Sequence, residues 1–168
     1  MLKTLRLIAP LVLPLSAAAA SLAYVAEGGA GPRIVILDID DAEDASETLI
    51  LDLADRPAWS PDGSRLAFIG NDQDREALCV VDLFDLDTSE DPIPRVLTLT
   101  DGAPVWSPDG RRLAFADNRG DGARLQLIEV ESGAESELSS QADQIPPWSV
   151  AWSPDGSRLA FTKLTESA

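Results

Sequence analysis

The sequence predicts an all-β protein built from short, repeating four-stranded units. Three observations carry this reading. One ten-residue string returns three times, as WSPDGSRLAF at residues 59–68, WSPDGRRLAF at 106–115 and WSPDGSRLAF at 152–161, with nine positions the same in all copies. The spacing from Trp59 to Trp106 is 47 residues and from Trp106 to Trp152 is 46. Apolar runs of strand length, separated by turn-prone residues, fill each interval, and beyond the first 26 residues no helical periodicity occurs. A period of 40–50 residues with about four strands is how a β-propeller blade reads in sequence.

Each copy of the string predicts a hairpin. In WSPDG the proline presets the first corner of a type I turn, the aspartate tolerates the second, and the glycine takes the left-handed position that follows. Gly63, Gly110 and Gly156 are therefore read as backbone requirements, and Asp62, Asp109 and Asp155 as turn residues rather than a ring of metal ligands. In the strand after the turn, Leu66 and Phe68 face one side while Arg65 and Ala67 face the other. Trp59, Trp106 and Trp152 supply large apolar area for packing one sheet on the next.

The remaining strands follow in order. EALCVVDLF and PRVLTLT come after the first hairpin, ARLQLIEVES and AESELSS after the second. NDQD, NRGDG and ESGAE are the turns. The expected layout is a half blade at 33–54, whole blades at 58–100 and 105–140, and a half blade at 150–163. The two halves are expected to add up to one blade.

Residues 1–23 read as a secretory signal peptide: Lys3 and Arg6, an apolar core, then small residues that fit cleavage after Ala19 or Ala23. The rival reading is an uncleaved membrane anchor, since residues 7–26 carry no charge over a span long enough to cross a bilayer. In both readings the signal segment is helical and the rest of the chain lies outside the cytoplasm, periplasmic or secreted. Residues 24–32, with GGAGP, are expected to be a linker.

Composition excludes several functions. The 168 residues contain no histidine, so a Ser-His-Asp triad, a Cys-His pair and any His-ligated metal are excluded within this sequence. The single cysteine, Cys79, lies in an apolar stretch and is read as a buried thiol. With 29 Asp and Glu against 13 Lys and Arg, the net charge is −16, which repels phosphate backbones and argues against nucleic acid. The five carboxylates at 38–44 lack the spacing of a calcium loop and read as a solvated turn, so neither cofactor nor metal is expected.

The WSPDGxRLAF string resembles the repeat of TolB-type periplasmic proteins and of the propeller domains of prolyl-oligopeptidase-like enzymes. The resemblance implies that each Trp strand is innermost and that the loop before it opens on one face of a disc. Those loops are LADRP, LTDGAP and QADQIPP, which present Asp55, Arg56, Asp101 and Asp143 as candidate partner-binding residues. A mouth lined by carboxylates suits a basic or envelope-associated protein. The function expected is a non-catalytic interaction scaffold, the alternative being the propeller portion of a serine peptidase without its catalytic domain. Propellers of this kind carry more blades than three, which leaves three resolutions: a fragment of a longer protein, a homodimer that completes a six-bladed ring, or an arc docked on another protein.

Overall fold

In the computed structural model, described here for residues 21–28, 31–38, 46–83, 93–117, 119, 123–139 and 150–162, all regular structure is β. The described strands are β1 (Ser21–Gly28), β2 (Gly31–Asp38), β3 (Ser46–Asp52), β4 (Asp55–Trp59), β5 (Arg65–Asp72), β6 (Arg75–Asp82) and β7 (Arg95–Leu99). They continue as β8 (Val105–Trp106), β9 (Arg112–Asp117), β10 (Arg124–Glu129), β11 (Glu135–Glu137), β12 (Val150–Trp152) and β13 (Leu159–Phe161). These form four antiparallel sheets in sequential order, β1-β2-β3, β4 to β7, β8 to β11, and β12-β13. No described helix is long and apolar enough to cross a membrane; of the expected signal segment, residues 1–23, residues 1–20 lie outside the described residues and 21–23 belong to β1.

The sheets stack face on face, and the sequence shows why. In the sheet of four strands from β4 to β7, both faces are buried, so β6 reads as a continuous apolar run rather than an alternating one. Ala77, Cys79 and Val81 look back at Ile34, Ile36 and Leu51 of the preceding sheet. Leu78 and Val80 look forward at Trp106, Leu113 and Phe115 of the next. Ala114, Ala116 and Leu125 then meet Val150, Trp152 and Leu159. Each interface sets small side chains, such as Ala67 and Ala114, against the large Trp and Leu of the following hairpin. Each fully buried Leu, Ile or Phe stabilises this stack by about 1.5–3 kcal/mol.

Two expectations need correction at the N-terminal end. The segment expected as a linker, 24–32, is instead part of a strand pair: β1 runs beside β2 with eight matched residues, from Ser21 opposite Asp38 to Gly28 opposite Gly31. The physical reason is a degenerate repeat. Leu22, Ala23 and Tyr24 stand where Leu66, Ala67 and Phe68 stand in the next sheet, without a WSPDG turn to announce them. Among the described residues the first sheet therefore has three strands, not the two of a half blade at 33–54. Among the described residues, three strands here and two in β12-β13 make five, one more than the four expected of two half blades. Cleavage after Ala23 would cut β1, whereas cleavage after Ala19 would leave it whole.

Candidate functional site

The three WSPDG turns share one set of hydrogen bonds. The N–H of Gly63, Gly110 and Gly156 donates to the carbonyl of Ser60, Ser107 and Ser153 respectively, each at 2.9 Å. The three glycines have φ of 73°, 68° and 69°, a region closed to most side chains. The serine hydroxyl donates to the aspartate at 2.6 Å in all three turns. It also accepts the N–H of Arg65, Arg112 or Arg158 at 2.9 Å. Asp62 collects two further bonds from Ser64, and Asp155 two from Ser157. The Ser60 hydroxyl, above all, holds the Asp62 carboxyl down at about 2, and Ser153 and Ser157 do the same for Asp155. Asp109 is lowered by Ser107 and by the Arg111 N–H. These serines were not singled out from the sequence; their constant place two residues before the aspartate was the signal for the bridge.

The same hairpins join neighbouring sheets. Trp106 Nε1 donates to the Ala58 carbonyl at 2.9 Å, and Trp152 Nε1 to the Val105 carbonyl at 3.1 Å. The Arg65 guanidinium lies 4.9 Å from the centre of the Trp106 ring, and Arg112 5.0 Å from Trp152. Arg65 also donates to the Gly110 carbonyl at 2.6 Å and pairs with Glu131 at 3.0 Å. Arg65 and Arg112 thus each clamp the tryptophan of the following sheet, a role that adjacent residue spacing alone does not reveal.

At the opposite ends of these strands lies the face formed by the loops that lead into β4 and β8. Arg56 has φ of 54°, and its guanidinium donates to the Asp101 carbonyl on the next sheet's loop. It also pairs with Asp55 at 3.7 Å. Asp55, Arg56 and Asp101 are therefore brought together; Asp143 lies outside the described residues. Gly102 packs so closely on the backbone of Ala116 that a Cβ there would sit 2.3 Å from the Ala116 oxygen.

That packing places two residues that the sequence did not single out. Asp117, at the end of β9, binds Arg119 through both carboxylate oxygens, at 2.9 and 3.1 Å. Burial pushes the Asp117 carboxyl up, but the bonds from Arg119 outweigh it and leave the group below its ordinary value. Arg119 is raised, first by Asp117 and further by the charges of Asp101 and Glu135. The rim is thus a mixed array of Asp55, Arg56, Asp101, Asp117 and Arg119 from two successive sheets, not a mouth lined by carboxylates alone. Nothing in it pairs a nucleophile with a base. Among the described residues no group of three or more His, Cys, Asp or Glu is placed to hold a metal ion.

The sequence profile of the TolB beta propeller domain matches residues 21–166, nearly the whole length. The chain belongs to the TolB β-propeller domain family. Its fold is similar to TolB from Acinetobacter baumannii, at 18% identity and a TM-score of 0.63, over 84% of this chain and 34% of that one. It is similar also to a protein assigned as TolB from Agrobacterium tumefaciens, at 19% identity and a TM-score of 0.56, over 79% of this chain and 50% of that one. A puromycin-hydrolyzing peptidase from Mycobacterium tuberculosis is a third likeness, at 18% identity and a TM-score of 0.56, over 86% of this chain and 26% of that one. The chain thus spans half or less of the length of each. No curated protein sequence matches it.

Proposed function

We propose that this TolB-like chain is an exported, non-catalytic scaffold that binds a protein through the rim of Asp55, Arg56, Asp101, Asp117 and Arg119. The observation that carries the reading is the Arg56 bridge to Asp101, which fixes charged groups of two sheets into one polar surface at the mouths of their innermost strands. Bidentate Arg–Asp pairs and backbone-anchored arginines are pre-organised, so little side-chain freedom is lost when a partner docks. The overall charge of −16 favours a basic partner or a basic patch on an envelope protein, and makes association faster at low salt. An extracytoplasmic location accords with the signal-like residues 1–23 and with family membership.

The test is capture of partners from an envelope fraction by the immobilised chain, compared with an Asp101→Lys/Arg119→Glu variant of unchanged melting temperature. A partner held by the wild type, released by added salt and lost in the variant is the expected result. A partner held equally by both proteins removes the rim from the binding surface. A second reading, the propeller portion of a serine peptidase, is favoured by the likeness to the mycobacterial peptidase fold. A hydrolase with a Gly-x-Ser-x-Gly motif encoded next to this chain, and binding it, would replace the scaffold reading.

A further inference from the structure

Each WSPDG turn contains an Asp–Gly bond, Asp62–Gly63, Asp109–Gly110 and Asp155–Gly156, and all three aspartates are exposed to water. Such bonds are open to isomerisation, because glycine has no Cβ to keep its nitrogen away from the side chain before it. The glycine nitrogen attacks the aspartate Cγ, a C–N bond forms, and the carboxyl OH leaves with the N–H proton as water. Water then opens the succinimide ring at either carbonyl, and opening at the main-chain carbonyl gives isoaspartate, in which the chain runs through the side chain. The sum changes neither mass nor oxidation state. It requires a glycine nitrogen free to swing toward Cγ, and a neutral carboxyl, since the ionised group offers no leaving OH.

The folded turns withhold both. The N–H of Gly63, Gly110 and Gly156 is held on the carbonyl of Ser60, Ser107 and Ser153 at 2.9 Å. The aspartate carboxylate is bound instead to the hydroxyl of the same serine, at 2.6 Å in every turn. The same carboxylate oxygen takes the N–H two residues on, from Ser64, Arg111 and Ser157, at 3.1, 3.1 and 3.0 Å. The serine hydroxyl is itself anchored by the N–H of Arg65, Arg112 or Arg158 at 2.9 Å. Donors placed in this way favour the ionised carboxyl, and all three aspartates are lowered. One serine thus occupies both groups that the reaction needs. We propose that Ser60, Ser107 and Ser153 are protecting residues: with the carbonyl on the glycine N–H and the hydroxyl on the carboxylate, each keeps its exposed Asp–Gly bond from isomerising. Asp62, Asp109 and Asp155 become modification sites once that hydroxyl is lost.

The experiment follows isoaspartate at each site in the purified chain, kept in warm, mildly acidic buffer at a temperature where circular dichroism shows it folded. Digestion by a protease that cuts before aspartate but not before isoaspartate separates the two forms, and mass spectrometry counts them. The chain unfolded in guanidinium chloride supplies the unprotected rate. The folded wild type is expected to isomerise at least about tenfold more slowly at all three sites, one unit of carboxyl pKa being a tenfold change in the neutral form. Ser60→Ala, at a serine 2% exposed, and Ser153→Ala, at a half-buried one, are expected to raise the rate about tenfold at Asp62 and Asp155 respectively, and nowhere else. Ser153→Thr, which keeps a hydroxyl, is expected to hold the wild-type rate. The proposal is overturned if the folded wild type isomerises as fast as the unfolded chain, or if Ser153→Ala leaves Asp155 unchanged. It is overturned equally by a rise shared by all three turns, which general loosening of the fold produces, or by Ser153→Thr isomerising as fast as Ser153→Ala. Should Ser60→Ala fail to fold, the two Ser153 variants decide.

Discussion

Replacing Trp106 by Phe tests the bridge between sheets, because it keeps an aromatic ring in place and removes the features that reach the neighbouring sheet. The indole N–H bond to Ala58 is lost, at about 1 kcal/mol. The attraction to Arg65, 4.9 Å from the ring centre, weakens by about 0.5 kcal/mol. The smaller ring leaves a void among Ala67, Leu78, Leu113 and Phe115, costing about 1 kcal/mol in a side chain only 7% exposed. The sum is about 2.5 kcal/mol, equivalent to a fall in melting temperature of about 5–10 °C for a chain of this size. Denaturant melts followed by far-ultraviolet circular dichroism measure it. A double-mutant cycle with Arg65→Met isolates the stacked pair, with an expected coupling of about 0.5–1 kcal/mol. A loss under about 0.5 kcal/mol for Trp106→Phe, with strict additivity in the cycle, would refute the clamp.

Other outcomes follow from the same geometry. Gly102→Ala drives a Cβ into the Ala116 oxygen and is expected to cost about 2–3 kcal/mol, whereas Gly133→Ala, with φ of 70° and nothing within 4 Å, costs about 1 kcal/mol; thermal melts of both compare them. The lowered carboxyls of Asp62, Asp109 and Asp155 contribute stability that is fully present above about pH 4, their unfolded range, and is lost as pH falls through their folded values, about 2 for Asp62 and Asp155. The triple Asn variant is therefore expected to show a shallower fall in melting temperature from pH 4 to 2 than the wild type, and an equal slope would contradict the serine–aspartate bridges. Cys79 is 4% exposed, and burial raises its thiol above the ordinary range. Labelling by a thiol reagent is expected to be slow in buffer and to accelerate at the unfolding midpoint; fast labelling of the native protein would contradict its place between the first and second sheets.

The repeated string made the hairpins readable because each of its residues answers a local demand: proline and glycine for the turn, alternating Leu and Phe for the buried face. The continuous run from Ala77 to Val81 was readable for a related reason, since only a strand covered on both sides tolerates it. β1 escaped notice because its cassette retains Leu22, Ala23 and Tyr24 but not the turn, and because its small residues also suit a cleavage region. At the rim, sequence placed Asp55, Arg56 and Asp101 on corresponding loops, but not Asp117 and Arg119. Those two reach the same surface through the pairing of β8 with β9 and the close packing of Gly102, which are tertiary facts. The arginine clamps were hidden similarly: Arg65 and Trp106 are 41 positions apart and meet only when sheets stack.

The stacked-blade arrangement rests on Trp106 and Trp152, which each reach out of their own sheet to bond the backbone of the one before it. Hydrogen exchange of the indole N–H groups in nitrogen-labelled protein measures this directly. The account predicts that the Trp106 indole proton exchanges far more slowly than that of free tryptophan, and that Arg65→Met hastens it. Exchange of the Trp106 proton at the free rate in the folded protein would contradict the stacked-blade arrangement.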